Sequence, residues 1–153
     1  MAPCERIRVT GTIELALPPD QAFELFTPSG ERAWAEGWDP RFPCPTEEET
    51  EPGTVFTTDH GEQRTVWTVV HREGHSAIAY SRTTPGDRAG LVSVALQPST
   101  AGSRVTVGYD LTALEPSANR ALKEFAHHYP AFLREWQAAI DGLGTRGPQD
   151  RDP

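Results

Sequence analysis

Glu31, Arg32, Trp34, Trp38 and Asp39 fall within nine residues of one another. A carboxylate beside indole rings is suited to general acid or base chemistry, because desolvation disfavours its charged form and raises its pKa. Glu31 and Asp39 are both candidates for that role. The alternative is a structural clasp, in which one of the two pairs with an arginine while Trp34 plugs the sheet. His60 precedes a Gly-Glu turn and Arg64, and a histidine is the natural proton shuttle near neutral pH unless it is an ordinary solvent-facing turn residue. Tyr80, Arg82 and Thr84 alternate onto one face of a strand. Facing inward, Arg82 could hold a carboxylate, enolate or phenolate oxygen. Ser81 and Thr83 on the opposite face are also polar, so the period leaves the orientation open, and only the bulk of Ile78 and Tyr80 favours the inward placement. Glu31, His60 and Arg82 are the candidate catalytic residues.

His127-His128-Tyr129 is a weaker signal. Glu124 lies three and four residues before the two histidines, a spacing used by metal-binding helices, but adjacent histidines diverge by about 100° around a helix and rarely serve one site. HExxH is absent, as are GxSxG, a P-loop and GxGxxG, and Ser117 reads as a helix N-cap rather than a nucleophile. The two cysteines, Cys4 and Cys44, make neither a disulfide framework nor a four-ligand zinc site. Neither a metal nor a nucleotide cofactor is expected, and no covalent catalysis.

The elements that position these residues come from a chain of 153 residues, a length typical of one domain. With 37% hydrophobic residues it can build a core, and no apolar run approaches the roughly 20 residues of a membrane span. The opening segment has no apolar stretch like that of a secretory signal, so a cytoplasmic location is expected. Fourteen basic against 22 acidic residues give a net charge of -8. No stretch concentrates lysine or arginine, so nucleic acid is not an expected partner.

Odd-numbered apolar residues at 7–17 predict a half-buried strand. Pro18-Pro19-Asp20 then opens a short helix running to about Phe26, and a second short helix is expected at 31–35, ended by Gly37. The Pro- and Glu-rich segment 39–53 reads as an exposed excursion with a solvated glutamate run. Strand character follows at 54–60, 64–72, 76–83, 90–97 and 103–114, with turn residues between neighbours, which predicts an antiparallel meander. From 117 to 143, Ala118, Leu122, Phe125, Tyr129, Phe132, Trp136 and Ile140 form one apolar stripe along a helix of about 40 Å, with a kink or break at Pro130. A domain over 5–143 and a polar tail at 144–153 complete the expectation.

Strand, two short helices, meander and long closing helix follow the order of the helix-grip fold. Through TGTIELALPPDQAFELFT, GERAWAEGWDP, TVWTVV, YDLTAL and the closing EWQAAI, residues 7–143 resemble the SRPBCC superfamily of START lipid-transfer domains, birch-pollen-allergen-like carriers and polyketide cyclases/dehydrases, most of all a bacterial branch of it. The resemblance implies an α+β fold in which a curved antiparallel sheet of about six or seven strands wraps around a long C-terminal helix. It also implies a pocket between sheet and helix for a small hydrophobic molecule, aromatic or polyketide-like. Trp34, Trp38, Asp39, Trp67, Tyr80, Tyr109, His128, Tyr129 and Phe132 are the expected ligand-binding residues, although burial in a filled core would explain the aromatics equally.

Three functions stay open at this point. An enzyme would be a cofactor-independent cyclase, dehydratase or lyase, with Arg82 or a tyrosine hydroxyl holding the oxyanion that aldol-type cyclisation develops. A carrier would bind without turnover, and filling its cavity through Ala79→Phe would abolish binding. A protein-interaction module of the Hsp90-activator type would use its surface. A monomer or homodimer is expected in each case.

Overall fold

The computed structural model describes residues 3–144, so the expected tail lies outside the described residues apart from Gly144. Six strands form one antiparallel sheet: β1 (Arg6–Leu15), β2 (Val55–His60), β3 (Gln63–Glu73), β4 (Ala77–Thr84), β5 (Arg88–Pro98) and β6 (Ser103–Ala113). Their spatial order is β1-β6-β5-β4-β3-β2, a meander whose last strand returns beside the first. The β2–β3 and β4–β5 hairpins turn on Gly61 and Gly86, at φ of 62° and 75°, a conformation that glycine adopts without a Cβ penalty. Alternation decides which face is buried. In β6, Val105, Val107, Tyr109 and Leu111 point into the core between half-exposed neighbours. In β4, Ile78, Tyr80 and Thr84 are buried, so the face that also carries Arg82 points inward.

Between β1 and β2 the chain forms helix α1 (Pro19–Ala22), a 3-10 turn at Phe23–Phe26 and a second 3-10 turn at Gly30–Ala33. The second piece is tighter and earlier than the helix expected at 31–35. Thr27 sets it, donating from Oγ1 to the Glu24 carbonyl at 2.8 Å and accepting the Gly30 N–H at 3.0 Å. A Cβ at Gly30 would lie 1.7 Å from that same carbonyl, so only glycine fits there.

The glutamate run is less free than expected. Glu49 accepts both the backbone N–H and the hydroxyl of Ser29, at 3.1 and 2.7 Å. Glu48 lies 3.3 Å from Arg72, whose guanidinium sits 5.0 Å over the ring of Phe23. The excursion is thereby tied to the second 3-10 turn and to β3.

The closing stripe forms two helices rather than one, α2 (Asn119–His127) and α3 (Tyr129–Gly144). The break falls at His128 (φ -94°, ψ 9°), which leaves Pro130 in the first turn of α3, where a helix needs no N–H from it. Ser117 is not the N-cap the sequence suggests: it lies inside a 3-10 turn, Pro116–Ala118, and neither that turn nor α2 has a side-chain cap. Both helices lie along β1, whose outer edge is otherwise unpaired. Gln137 on α3 accepts the Glu14 N–H at 2.9 Å and donates to the Glu14 carbonyl at 2.6 Å. Asn119 does the same for the strand's start, accepting the Glu5 N–H and donating to the Pro3 carbonyl. Two side-chain amides thus stand in for a neighbouring strand. The whole is an α+β helix-grip fold, and among the described residues no helix is long and apolar enough to cross a membrane.

Candidate functional site

Because the helices follow β1, the inner face of β2, β3 and β4 is left without a helix on it. The gap is a cavity of about 820 Å³. Its sheet wall has a polarity gradient. Tyr80, Val92 and Tyr109 share one rung of the sheet, and Phe56, Trp67 and Arg82 the next. Thr84 and Arg88 pair on the rung after that, where the Thr84 hydroxyl lies 2.6 Å from that of Thr65. Polar residues therefore gather at the end next to the β2–β3 and β4–β5 turns.

The opposite wall comes from α3 and the segment after the second 3-10 turn. Trp34 meets Trp136 of α3 edge-on at 4.9 Å between centroids, and Trp38 meets Trp67 of β3 at 5.4 Å. Residues 31–38 thus bridge the helix to the far side of the sheet, with Glu31 lining the cavity below them. Most polar tips of the aromatics are engaged by the protein itself. The indole N–H groups of Trp34, Trp38 and Trp67 donate to Leu25 O, Pro28 O and Thr58 Oγ1, and the Tyr80 hydroxyl donates to Phe26 O.

Three cavity groups differ. The half-buried Glu31 forms no hydrogen bond or ion pair with its side chain among the described residues, and burial holds its carboxyl well above the usual carboxylate range. Arg82 stacks 5.2 Å over the ring of Trp67 and donates from one Nη to Thr84 at 2.7 Å, while its Nε is buried without a partner. Burial pushes its guanidinium below the usual arginine range. The Tyr109 hydroxyl lines the cavity with no hydrogen-bond partner among the described residues, and its pKa is raised by burial first and then by the charge of Glu31.

The other sequence-predicted residues separate clearly. His60 is exposed on the cavity rim, and Arg64 beside it pairs with Asp59 at 2.9 Å rather than with the histidine. Phe132 lines the cavity from α3. Asp39 is exposed outside the cavity, 3.4 Å from Arg32 and 3.6 Å from Arg41, the clasp arrangement foreseen as its alternative. Tyr129 is buried and does not itself line the cavity, packing behind Tyr109 and Phe132 and donating to Val107 O at 2.7 Å. His128 is exposed at the α2 break, its ring 2.9 Å from the Glu124 backbone carbonyl rather than its carboxylate. Ala79, offered as a cavity-filling position, lies on the outer face between inward Ile78 and Tyr80, so the substitution belongs instead at Ala35 or Ala139, which line the cavity.

Sequence reasoning passed over Thr65, Asp87, Arg88 and Glu135, all of which line the site. Asp87 and Arg88 form a 2.6 Å ion pair at its polar end. The β4–β5 turn motif Pro85-Gly86-Asp87 marked that place, and continuing the alternation from Arg82 and Thr84 across the turn reaches Arg88.

A protein from Rhizobium leguminosarum has a similar structure, with a TM-score of 0.66 at 14% identity over 91% of this chain and 97% of its own. Protein MLL2253 from Mesorhizobium loti is similar with a TM-score of 0.65 at 17% identity, over 88% of this chain and 97% of its own. DynU16, from the dynemicin biosynthetic locus, is similar with a TM-score of 0.58 at 19% identity, over 94% of this chain but 48% of DynU16. At these identities the likeness concerns the fold. No curated protein matches the chain. A family model does, over residues 6–146, and with the helix-grip architecture it settles the relationship: the chain belongs to the polyketide cyclase/dehydrase and lipid transport family.

Proposed function

We propose that the protein binds a small, largely apolar molecule, aromatic or polyketide-like, in the cavity and acts on it as a cofactor-independent cyclase, dehydratase or lyase. The observation that carries this reading is the presence, in an aromatic cavity, of polar groups that the protein leaves without a hydrogen-bond partner: the Glu31 carboxyl, the Tyr109 hydroxyl and the Nε of Arg82. Groups that serve only to hold the fold are normally satisfied by it. Glu31, kept protonated by burial, gives a proton to a leaving oxygen or, once ionised, takes one from a carbon next to a carbonyl. Arg82 and the Tyr109 hydroxyl stabilise the oxyanion that develops. His60, at the rim, exchanges the proton with solvent. Such a protein works in the cytoplasm, as a monomer or homodimer.

A non-catalytic carrier is the second reading. It is favoured by the indole N–H groups and the Tyr80 hydroxyl being committed to protein acceptors, which leaves a largely unreactive aromatic wall. Native mass spectrometry after incubation with a bacterial small-molecule extract separates the two. A compound consumed by the wild type but retained unchanged by Glu31→Gln supports the enzyme. One retained unchanged by both supports the carrier, and neither retention nor consumption overturns both readings.

A further inference from the structure

The described residues include twelve lysines and arginines, of which ten stand in ion pairs with aspartate or glutamate. The two others are Arg134, exposed on α3, and Arg82, which lines the cavity. A guanidinium withdrawn from water is costly without a counterion, and this acidic chain had carboxylates to spare for it. Among the described residues none forms an ion pair with it, although Glu31, Glu36, Asp59, Asp87 and Glu135 line the same cavity. Asp87, the acid in the neighbouring turn, is held by Arg88 at 2.6 Å, and Glu31 makes no ion pair. What holds Arg82 is neutral: the face of Trp67 and the hydroxyl of Thr84, which together fix the plane of the guanidinium and leave its Nε with no acceptor.

We propose that the ligand itself supplies the missing counterion: the cavity takes amphipathic monoanions, with a carboxylate or phenolate oxygen seated on Arg82 and an apolar body against the aromatic wall. This rests on the cavity being the ligand site, and adds that the ligand is charged before any reaction begins. One uncommitted cation matches one negative charge, so a phosphate monoester dianion would be left partly unneutralised, and Arg88 has no free charge to share while Asp87 holds it. The polarity of the walls gives the orientation. The anion lies on the rung next to Thr84, and the body extends past Tyr80 and Val92 towards Trp136.

Isothermal titration calorimetry with four naphthalene probes tests this: 2-naphthoate, 2-naphtholate at alkaline pH, methyl 2-naphthoate and 2-naphthylmethylammonium. The wild type should bind at least one of the two anions about tenfold or more tighter than the ester, and the ammonium not at all; whichever anion is preferred identifies the oxygen the site is built for. Arg82→Met should erase the preference for the anion while leaving the ester's affinity unchanged or higher. Arg82→Lys, which keeps the charge but loses the planar fork, should keep part of it. Equal affinity of the wild type for the naphthoate, the naphtholate and the ester overturns the proposal while leaving the apolar cavity as the binding site. Failure of every probe to bind overturns the cavity reading together with it. The wild-type comparison stands even if both variants fail to fold, and an anion preference that survives unchanged in a folded Arg82→Met also overturns the proposal.

Discussion

Two halves of one sheet meet the same pair of helices with opposite results. Beside β1 and β6 the helices sit directly on the strands. A Cβ at Gly11 would come within 2.5 Å of Leu133, Tyr129 bonds the Val107 carbonyl, and Gln137 pairs with the strand edge. On β2, β3 and β4 the cavity is faced by the large side chains of Phe56, Trp67, Tyr80 and Arg82, and Trp34 and Trp38 close the space from above. Where Gly11 admits Leu133 the helix packs onto the strand, and where large side chains stand away from it a cavity remains. The filled half carries stability, and under the proposed function the open half carries the chemistry, because a group left unsatisfied for a ligand cannot also stabilise the empty protein.

The largest effect that would break this division is expected at Leu133, which is 5% exposed and wedged over Gly11. Leu133→Ala should cost about 2–5 kcal/mol in urea denaturation, from lost burial and the void left behind. Ligand affinity per folded molecule, measured by calorimetry under stabilising conditions, should change little. A variant of near-normal stability, or one that folds normally but has lost binding, would show that the two halves are not separable.

A smaller effect should come from Glu31 and have a characteristic pH dependence. Its carboxyl is held well above the ordinary value of 4.5 in the folded protein, so the folded state retains a proton that the unfolded chain has lost. Stability therefore falls as pH rises from about 4.5 towards the elevated folded value, with a slope approaching about 1.4 kcal/mol per pH unit, and levels off above it. In Glu31→Gln that component disappears. The variant should match the wild type near pH 4 and exceed it at pH 7, measured by urea denaturation at both pH values. Parallel profiles for the two proteins would mean that the carboxyl is solvated and the open half is not the source of this instability.

How much of this was legible in the sequence differs along the same divide. Period-two and period-3.6 patterns record burial, so the strands, their order and the helical stripe could be read from residues such as Val105, Val107 and Leu122. The split at His128 followed from Pro130 once its missing N–H was considered. The cavity was harder, because a residue against a helix and a residue against an empty space show the same apolar periodicity. Trp67 and Tyr129 look alike in sequence, yet one lines the cavity and the other fills the core. Arg82 could not be oriented because both faces of its strand are polar at that end, and Asp39 could not be separated from Glu31 because partners such as Arg41 are fixed only by the path of the loop.

The smallest effect is expected at Gln137, where the filled half is held by hydrogen bonds instead of packing. Its amide exchanges two bonds with the Glu14 backbone at an exposed edge, and water can replace each of them when the side chain is removed. Gln137→Ala should therefore cost about 0.5–1.5 kcal/mol, well below Leu133→Ala, because no buried polar group is left unpaired. Its clearer signature is local. Hydrogen exchange at the Glu14 amide should accelerate strongly while Val105 and Val107 keep the protection of the sheet, since β1 remains paired to β6 through the Ile13–Val105 register. Equal acceleration in β6 would mean that the amide holds the whole sheet edge together, and that the filled half depends on this polar contact as much as on Leu133.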